Sequence, residues 1–194
     1  MRWNYTKSIL LGVVIVGALF ACRTRKEKTI HYRSGAIKAK GDVKEDAHGV
    51  FLRTGKWVLY YESGVKKAEG FYSRGNEDGV RDKRGNLLDG REGEWNFWYE
   101  HGQLMARGFF RNGKDNGQWM FWHEDGEMDQ TGSFRNGKPE GEWTSWYPNG
   151  TLRAKERFKK GKPDGEWVTW HKNGRLKEKR RFRSGKEERN LTHR

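Results

Sequence analysis

Large apolar side chains recur along this chain with a fixed spacing of 24 residues. From residue 93 onward, six kinds of position keep this register without slippage: two tryptophans, two glycines, a leucine or methionine, and a phenylalanine. The six sets are Trp95, Trp119, Trp143 and Trp167; Trp98, Trp122, Trp146 and Trp170; Gly102, Gly126, Gly150 and Gly174; Leu104, Met128, Leu152 and Leu176; Phe110, Phe134, Phe158 and Phe182; and Gly113, Gly137, Gly161 and Gly185. A fixed period of this length predicts a repeat architecture, in which each unit buries its apolar residues against its neighbours.

Each unit has the pattern of a β-hairpin. Apolar and charged positions alternate along its second strand, which is typical of a strand with one buried face. In the fourth repeat one face is predicted to hold Leu152, Ala154, Glu156 and Phe158, and the other Arg153, Lys155, Arg157 and Lys159. Glycine-containing segments such as 100–102 predict the turn within a hairpin, and segments 137–141 and 161–165 predict turns between units. The sequence therefore predicts an all-β fold, an elongated antiparallel meander of stacked 24-residue β-hairpin repeats.

The register also divides the chain into segments. An earlier copy of the motif begins at Gly55, and Tyr32, Gly35 and Ile37 look like half of a degraded repeat. We expect a signal peptide at 1–21, a lipidated linker with a degenerate capping repeat at 22–54, repeat 1 at 55–79, an insertion loop at 80–92, repeats 2 to 5 at 93–116, 117–140, 141–164 and 165–188, and a tail at 189–194.

The repeat motif resembles a known family. The pattern G-x-W-x-x-[WY]-[YH]-x-x-G-x-L runs from Gly55 to Lys186 together with turns such as Phe110–Lys114. This pattern is similar to that of the bacterial MORN-repeat-variant family, often labelled a YwqK-type antitoxin family. The resemblance implies an all-β hairpin array without catalytic residues of its own. An antitoxin normally meets its toxin in the cytoplasm, whereas this chain begins with an apparent export signal.

The N-terminus has the pattern of a bacterial export signal. A basic start at Arg2 and Lys7 precedes an apolar run from Ile9 to Phe20, which is short for a membrane span but suits a signal peptide. Leu19-Phe20-Ala21-Cys22 resembles a lipobox, which implies cleavage before Cys22 and acylation of its thiol. We therefore expect a lipid-anchored envelope protein, on the outer membrane facing the periplasm.

Two alternatives to this interpretation of the N-terminus stay open. One is an ordinary signal peptide that ends in an incidental cysteine. The other is an uncleaved anchor, because four basic residues follow the apolar run and the positive-inside rule counts against export of such a segment.

Composition narrows the possible chemistry. The net charge of +14 favours anionic partners, and the single cysteine excludes an intramolecular disulfide. The sequence contains no phosphate loop, dinucleotide fingerprint, zinc-protease motif or serine-nucleophile motif. His123 and His171 share a repeat position that elsewhere holds tyrosine, which favours a structural role over metal binding. We therefore predict neither an enzyme nor a cofactor or metal site.

One group of charges stands out near the C-terminus. It comprises Arg153, Lys155, Arg157 and Lys159, followed one repeat later by Arg175, Lys177, Lys179, Arg181 and Arg183. We expect these residues to form a basic plate on one sheet face that binds anionic lipid or glycolipid phosphates, with nucleic acid unfavoured by export. The alternative is a solvated strand face whose charges discourage edge pairing.

These observations together predict a non-catalytic binding or scaffolding surface in the bacterial envelope, for a protein or anionic-envelope partner. Two other functions remain open from the sequence. An antitoxin-like protein would sequester a toxin by binding, and would require that the N-terminal segment not direct export. A carbohydrate-binding module would stack sugar rings on exposed rows of tryptophan and tyrosine.

Overall fold

The computed structural model describes residues 26–47, 49–75 and 90–188. The signal-peptide segment, Cys22, most of the insertion loop and the tail lie outside these ranges. Within them the chain forms fourteen strands, and no helix there is long and apolar enough to cross a membrane. The strands are β1 (Lys26–His31), β2 (Ile37–Glu45), β3 (Phe51–Tyr60), β4 (Lys66–Gly75), β5 (Arg91–Trp98), β6 (Leu104–Arg111), β7 (Lys114–Trp122), β8 (Met128–Arg135), β9 (Lys138–Trp146), β10 (Leu152–Lys159), β11 (Lys162–Pro163), β12 (Gly165–Trp170), β13 (Leu176–Arg183) and β14 (Lys186–Glu187).

All the strands belong to one open antiparallel sheet, in which neighbours along the chain are neighbours in space. The exception is a break at Asp164, so that β11 and β12 both pair with β10 as two pieces of one strand. The predicted all-β antiparallel meander is therefore confirmed. Because each hairpin contacts only its neighbours, stability comes from the stack rather than from any single unit.

One face of the sheet, which we call the Trp face, carries a continuous aromatic ladder. Consecutive rings in this ladder have centroids 4.8 to 6.5 Å apart, mostly in edge-to-face geometry. The ten rings are Trp57, Tyr72, Trp95, Phe110, Trp119, Phe134, Trp143, Phe158, Trp167 and Phe182. Such aromatic pairs stabilise a core beyond the area that they bury.

Glycines on the adjacent strands let the tryptophans lie flat on the backbone. A Cβ added at Gly132 would lie 2.1 Å from the ring of Trp143, and one at Gly108 would lie 2.0 Å from the ring of Trp119. The indole nitrogen then reaches a backbone carbonyl on the same neighbouring strand, as where Trp143 Nε1 donates to the oxygen of Ser133 at 3.2 Å. Each ladder tryptophan is thus fixed by packing and by a hydrogen bond.

A second set of side chains ties each repeat to the next. The Tyr99 hydroxyl donates to the carbonyl of Trp122 at 2.8 Å, and the Tyr147 hydroxyl donates to that of Trp170 at 2.9 Å. His123 occupies the same position and its Nε2 lies 3.1 Å from the carbonyl oxygen of Trp146, so this nitrogen is the donor. The structure therefore supports the structural role predicted for His123.

The turns between units are shorter than the sequence analysis predicted. Asn136-Gly137 and Lys160-Gly161 form two-residue turns in which both residues have positive φ, as in type I′ hairpins. Strand β9 consequently begins at Lys138 and β11 at Lys162. The predicted turns at 137–141 and 161–165 are therefore too long, because residues 138–141 lie in β9 and residues 162–163 lie in β11. The tight turn suits the right-handed twist of the flanking strands.

Candidate binding surfaces

The face opposite the Trp face, which we call the second face, carries exposed cations near the C-terminus. Side chains alternate along β10 and β13, so the cations in question all point away from the ladder. We call this set the basic cluster; it comprises Lys155, Arg157 and Lys159 on β10 and Lys179, Arg181 and Arg183 on β13. Lys155 and Lys179 both pair with Val168 of the intervening strand, which separates the two rows by about 10 Å.

The two rows of the basic cluster differ in how far they are neutralised. On β13, Lys179 pairs with Glu166 at 3.1 Å, and Arg183 pairs with Glu188 at 2.8 Å. The three cations of β10 form no ion pair with any residue that the structure describes. The β10 row is therefore the part of the cluster most available to an external anion.

The predicted basic plate of nine residues is too large, because β-bulges turn some of these side chains away from the common face. Leu152 pairs with Trp146 while Ala154 pairs with Ser145, so Arg153 is an extra residue on its strand. Arg153 Nε donates to Ser145 Oγ at 3.2 Å, and Ser145 lies on the Trp face. The bulge therefore turns Arg153 to the Trp face and places Leu152, opposite Trp146, on the second face, reversing both predicted positions.

The same correction applies one repeat later. Trp170 pairs with Leu176 and Thr169 pairs with Glu178, so Lys177 is again the extra residue of a bulge. Arg175 precedes β13 and lies in the turn, where its backbone nitrogen donates to Asn173 Oδ1 at 3.1 Å. Arg153, Lys177 and Arg175 therefore do not share the plane of the basic cluster.

The second face changes character along the array. One repeat position on this face holds Phe71 on β4 and Phe109 on β6, and both rings are about half exposed, at 53% and 46%. The equivalent position holds Arg157 on β10 and Arg181 on β13. The N-terminal part of the second face is thus aromatic, and the C-terminal part is cationic.

A groove of about 340 Å³ lies on the Trp face in the same C-terminal part. We call it the polar groove; its polar lining comprises Gln130, Ser145, Arg153, Glu156, Thr169 and Lys177. Burial raises the pKa of the Glu156 carboxyl, although the nearby Arg153 and Arg180 act in the opposite direction. The groove was not among the predicted sites, although Ser145 and Thr169 stand at the repeat position of Phe97 and Phe121.

Metal binding has no support in the described part of the chain, which contains no group of three or more His, Cys, Asp or Glu side chains placed to hold an ion. The predicted lipidation residue, Cys22, lies outside the described residues.

An open sheet of hairpins joined by an aromatic ladder defines a repeat-based binding or scaffold protein. Comparison with protein families is more specific, because the model of the MORN repeat variant matches residues 53–74, 91–112, 139–160 and 163–183. The chain therefore contains four repeats of the MORN repeat variant type. The YwqK-type antitoxin label is not supported by this match.

No curated protein matches the chain. Among solved structures, it is similar to a chain in the crystal structure of the GtfA/B complex bound to UDP and GlcNAc, at 15% identity and a TM-score of 0.25. That match covers 64% of this chain and 22% of the other chain.

Proposed function

We propose that this protein is an exported, lipid-anchored component of the bacterial envelope that binds an anionic partner without catalysis. The main support for this proposal is the β10 row of the basic cluster. Its three cations, Lys155, Arg157 and Lys159, are exposed and have no ion pair within the described chain. Like charges so close on one strand repel one another, and an external anion would relieve that repulsion.

The anion that best fits this row is an array of phosphates at a membrane surface. Adjacent cations on one strand face are about 6.6 Å apart, and those of β13 lie about 10 Å away, so the cluster is an extended plate and not a pocket. A plate matches many weakly held headgroups better than it matches one small ion. Each cation close to an anionic bilayer contributes about 1 kcal/mol, so the β10 row contributes about 3 kcal/mol.

Export and anchoring support this choice of partner. The apolar run before Cys22 and the lipobox-like residues favour a location in the envelope, where anionic lipids and glycolipid phosphates are the abundant polyanions. An anchor at Cys22 would also hold the array near the bilayer and raise the effective concentration of the basic cluster there.

Vesicle co-sedimentation tests the proposed binding. The chain from residue 23 onward, which keeps every described strand, is mixed with vesicles containing about 30% anionic lipid, at low and physiological salt. We expect it to sediment with the vesicles at low salt and less at physiological salt, because salt screens exposed charges. The triple substitution Lys155→Gln, Arg157→Gln and Lys159→Gln should weaken binding about 100-fold, which follows from about 3 kcal/mol.

A matched control removes three exposed cations from the turn edge: Arg111→Gln, Lys114→Gln and Arg135→Gln. This variant loses the same charge, so it should bind nearly as well as the parent if position matters and as poorly as the β10 variant if only net charge matters. Equal binding by the parent and the β10 variant would refute the proposal, as would no sedimentation of the parent.

The anchoring part of the proposal has its own test. Cys22→Ala removes the only thiol in the chain, so it should shift the protein from the detergent-extracted membrane fraction to the soluble periplasmic fraction. Fractionation followed by mass spectrometry of the mature N-terminus measures both location and acylation. A Cys22→Ala protein that stays in the membrane fraction at the parent's mass would contradict the lipid anchor.

A further inference from the structure

The Trp face loses part of its aromatic core in the C-terminal half. In the middle of the array, the indole of Trp119 lies between two near-parallel rings, Phe97 at 6.1 Å and Phe121 at 5.7 Å. The next two residues at that repeat position are Ser145 and Thr169, so Trp167 has no such stacking partner. Trp167 is accordingly only half-buried, whereas Trp95 is 1% exposed. The polar groove occupies the region where these rings would have packed.

Polar groups without partners face this region. Glu156 stands where Gly108 and Gly132 stand in earlier repeats, and its half-buried carboxyl forms no hydrogen bond or ion pair with any described residue. The Thr169 hydroxyl is buried and likewise has no hydrogen-bond partner in the described part of the chain. Burying such groups costs free energy unless something bonds to them, so each calls for an explanation.

The charges in and beside the polar groove indicate what that partner is. Glu156, Arg153 and Lys177 line it and three further charged groups lie beside it, so three carboxylates balance three cations. These groups are Asp129, Glu156 and Glu178 against Arg153, Lys177 and Arg180. Four of these groups already form ion pairs with one another: Arg153 with Asp129 at 3.7 Å, and Arg180 with Glu178 at 3.4 Å. A balanced site of this kind favours a neutral ligand with several hydrogen-bonding groups over an ion.

We propose that the polar groove is a binding site for a neutral sugar ring. The ring's C–H face would pack on the half-buried ring of Tyr147, which lines the groove beside Ser145 and Thr169. Its hydroxyls would donate to the Glu156 carboxylate and bond to the Thr169 hydroxyl. A pyranose has the flat apolar face and the ring of hydroxyls that this combination of an aromatic ring and a few convergent polar groups requires.

This inference is independent of the proposed anionic binding, because the polar groove and the basic cluster lie on opposite faces of the sheet. Strand β10 supplies both sites, with Glu156 facing the polar groove and Lys155 facing the basic cluster. Neighbouring residues on one strand can therefore separate the two functions.

Saturation-transfer NMR on the full chain in zwitterionic detergent micelles tests the site, with cellotriose, maltotriose and chitotriose as probes. We expect at least one trisaccharide to bind with a dissociation constant of about 1 mM or tighter. Ser145→Phe with Thr169→Phe restores the phenylalanines of earlier repeats, and should abolish binding while leaving the melting temperature equal or higher. Glu156→Gln should weaken binding about tenfold, whereas Lys155→Gln should not change it.

The outcomes separate the two proposals. Sugar binding lost in the double phenylalanine variant, with vesicle sedimentation retained, supports the polar groove as the sugar site whatever becomes of the anionic proposal. Absence of binding by the parent to all three trisaccharides overturns the inference, and so does unchanged binding by the double variant. Should that variant not fold, Glu156→Gln and Thr169→Val decide, and unchanged sugar affinity in both overturns the site.

Discussion

At the scale of single residues, the ladder tryptophans from Trp57 to Trp143 each pack directly on a glycine of the neighbouring strand. Gly132 lies under the ring of Trp143, where a Cβ would come within 2.1 Å of ring carbons. The ring cannot move away without breaking its contact with Phe134, whose centroid is 4.8 Å distant. The glycine is therefore required by packing, since its φ is not in the left-handed region.

Gly132→Ala should accordingly lower the free energy of unfolding by about 3 kcal/mol, the upper range for overpacking a core. Glu156→Ala is the matched control, because Glu156 occupies the same repeat position and already carries a Cβ. We expect the control to change stability by less than about 1 kcal/mol. Urea unfolding followed by circular dichroism measures both, and similar losses in the two variants would show that the Gly132 contact is unimportant.

The sequence predicted the ladder well at this scale but not the exceptions to it. The 24-residue spacing identified every ladder tryptophan from Trp95 onward as a core residue. It did not show that the Trp167 ring would be left half-buried, because that depends on which residues lie on neighbouring strands. Comparing Ser145 and Thr169 with Phe97 and Phe121 in the repeat register would have indicated the change.

At the scale of strands and turns, the alternation rule held along most of each strand and failed at the bulges. The rule placed Lys155, Arg157 and Lys159 on one face correctly. It misplaced Arg153, because a bulge adds one residue opposite Trp146 and reverses the faces on one side of it. No residue type at Leu152 or Arg153 marks a bulge, so sequence alone could not have located it.

The turns between units, unlike the bulges, have a clear sequence signal. Asn-Gly at 112–113 and 136–137 is the preferred sequence for a type I′ turn, and both residues have the positive φ that this turn requires. Side chains of the preceding repeat reinforce the turns between units, as at Lys160-Gly161, where the backbone nitrogen of Lys160 donates to Glu140 at 2.7 Å. Glu140, the acidic residue after Lys138-Pro139, therefore belongs to β9 and supports the next turn.

At the scale of the whole molecule, the two faces of the sheet differ in packing and exposure. The Trp face holds the repeats together through the aromatic ladder, and its polar groove lies where that ladder loses its stacking rings. The second face contributes less to stability and presents the exposed phenylalanines and the basic cluster. A single sheet can thus be stable and still offer an extended surface to a partner.

The most direct test of this division uses two tryptophans on one strand. Trp143 points into the aromatic ladder and is 5% exposed, whereas Trp146 points to the second face and is half-buried. Trp143→Ala should cost about 3 to 5 kcal/mol in the free energy of unfolding, and Trp146→Ala less than about 2 kcal/mol. Urea unfolding of both variants and the parent makes the comparison. Equal losses, or a larger loss for Trp146→Ala, would contradict the assignment of the core to the Trp face.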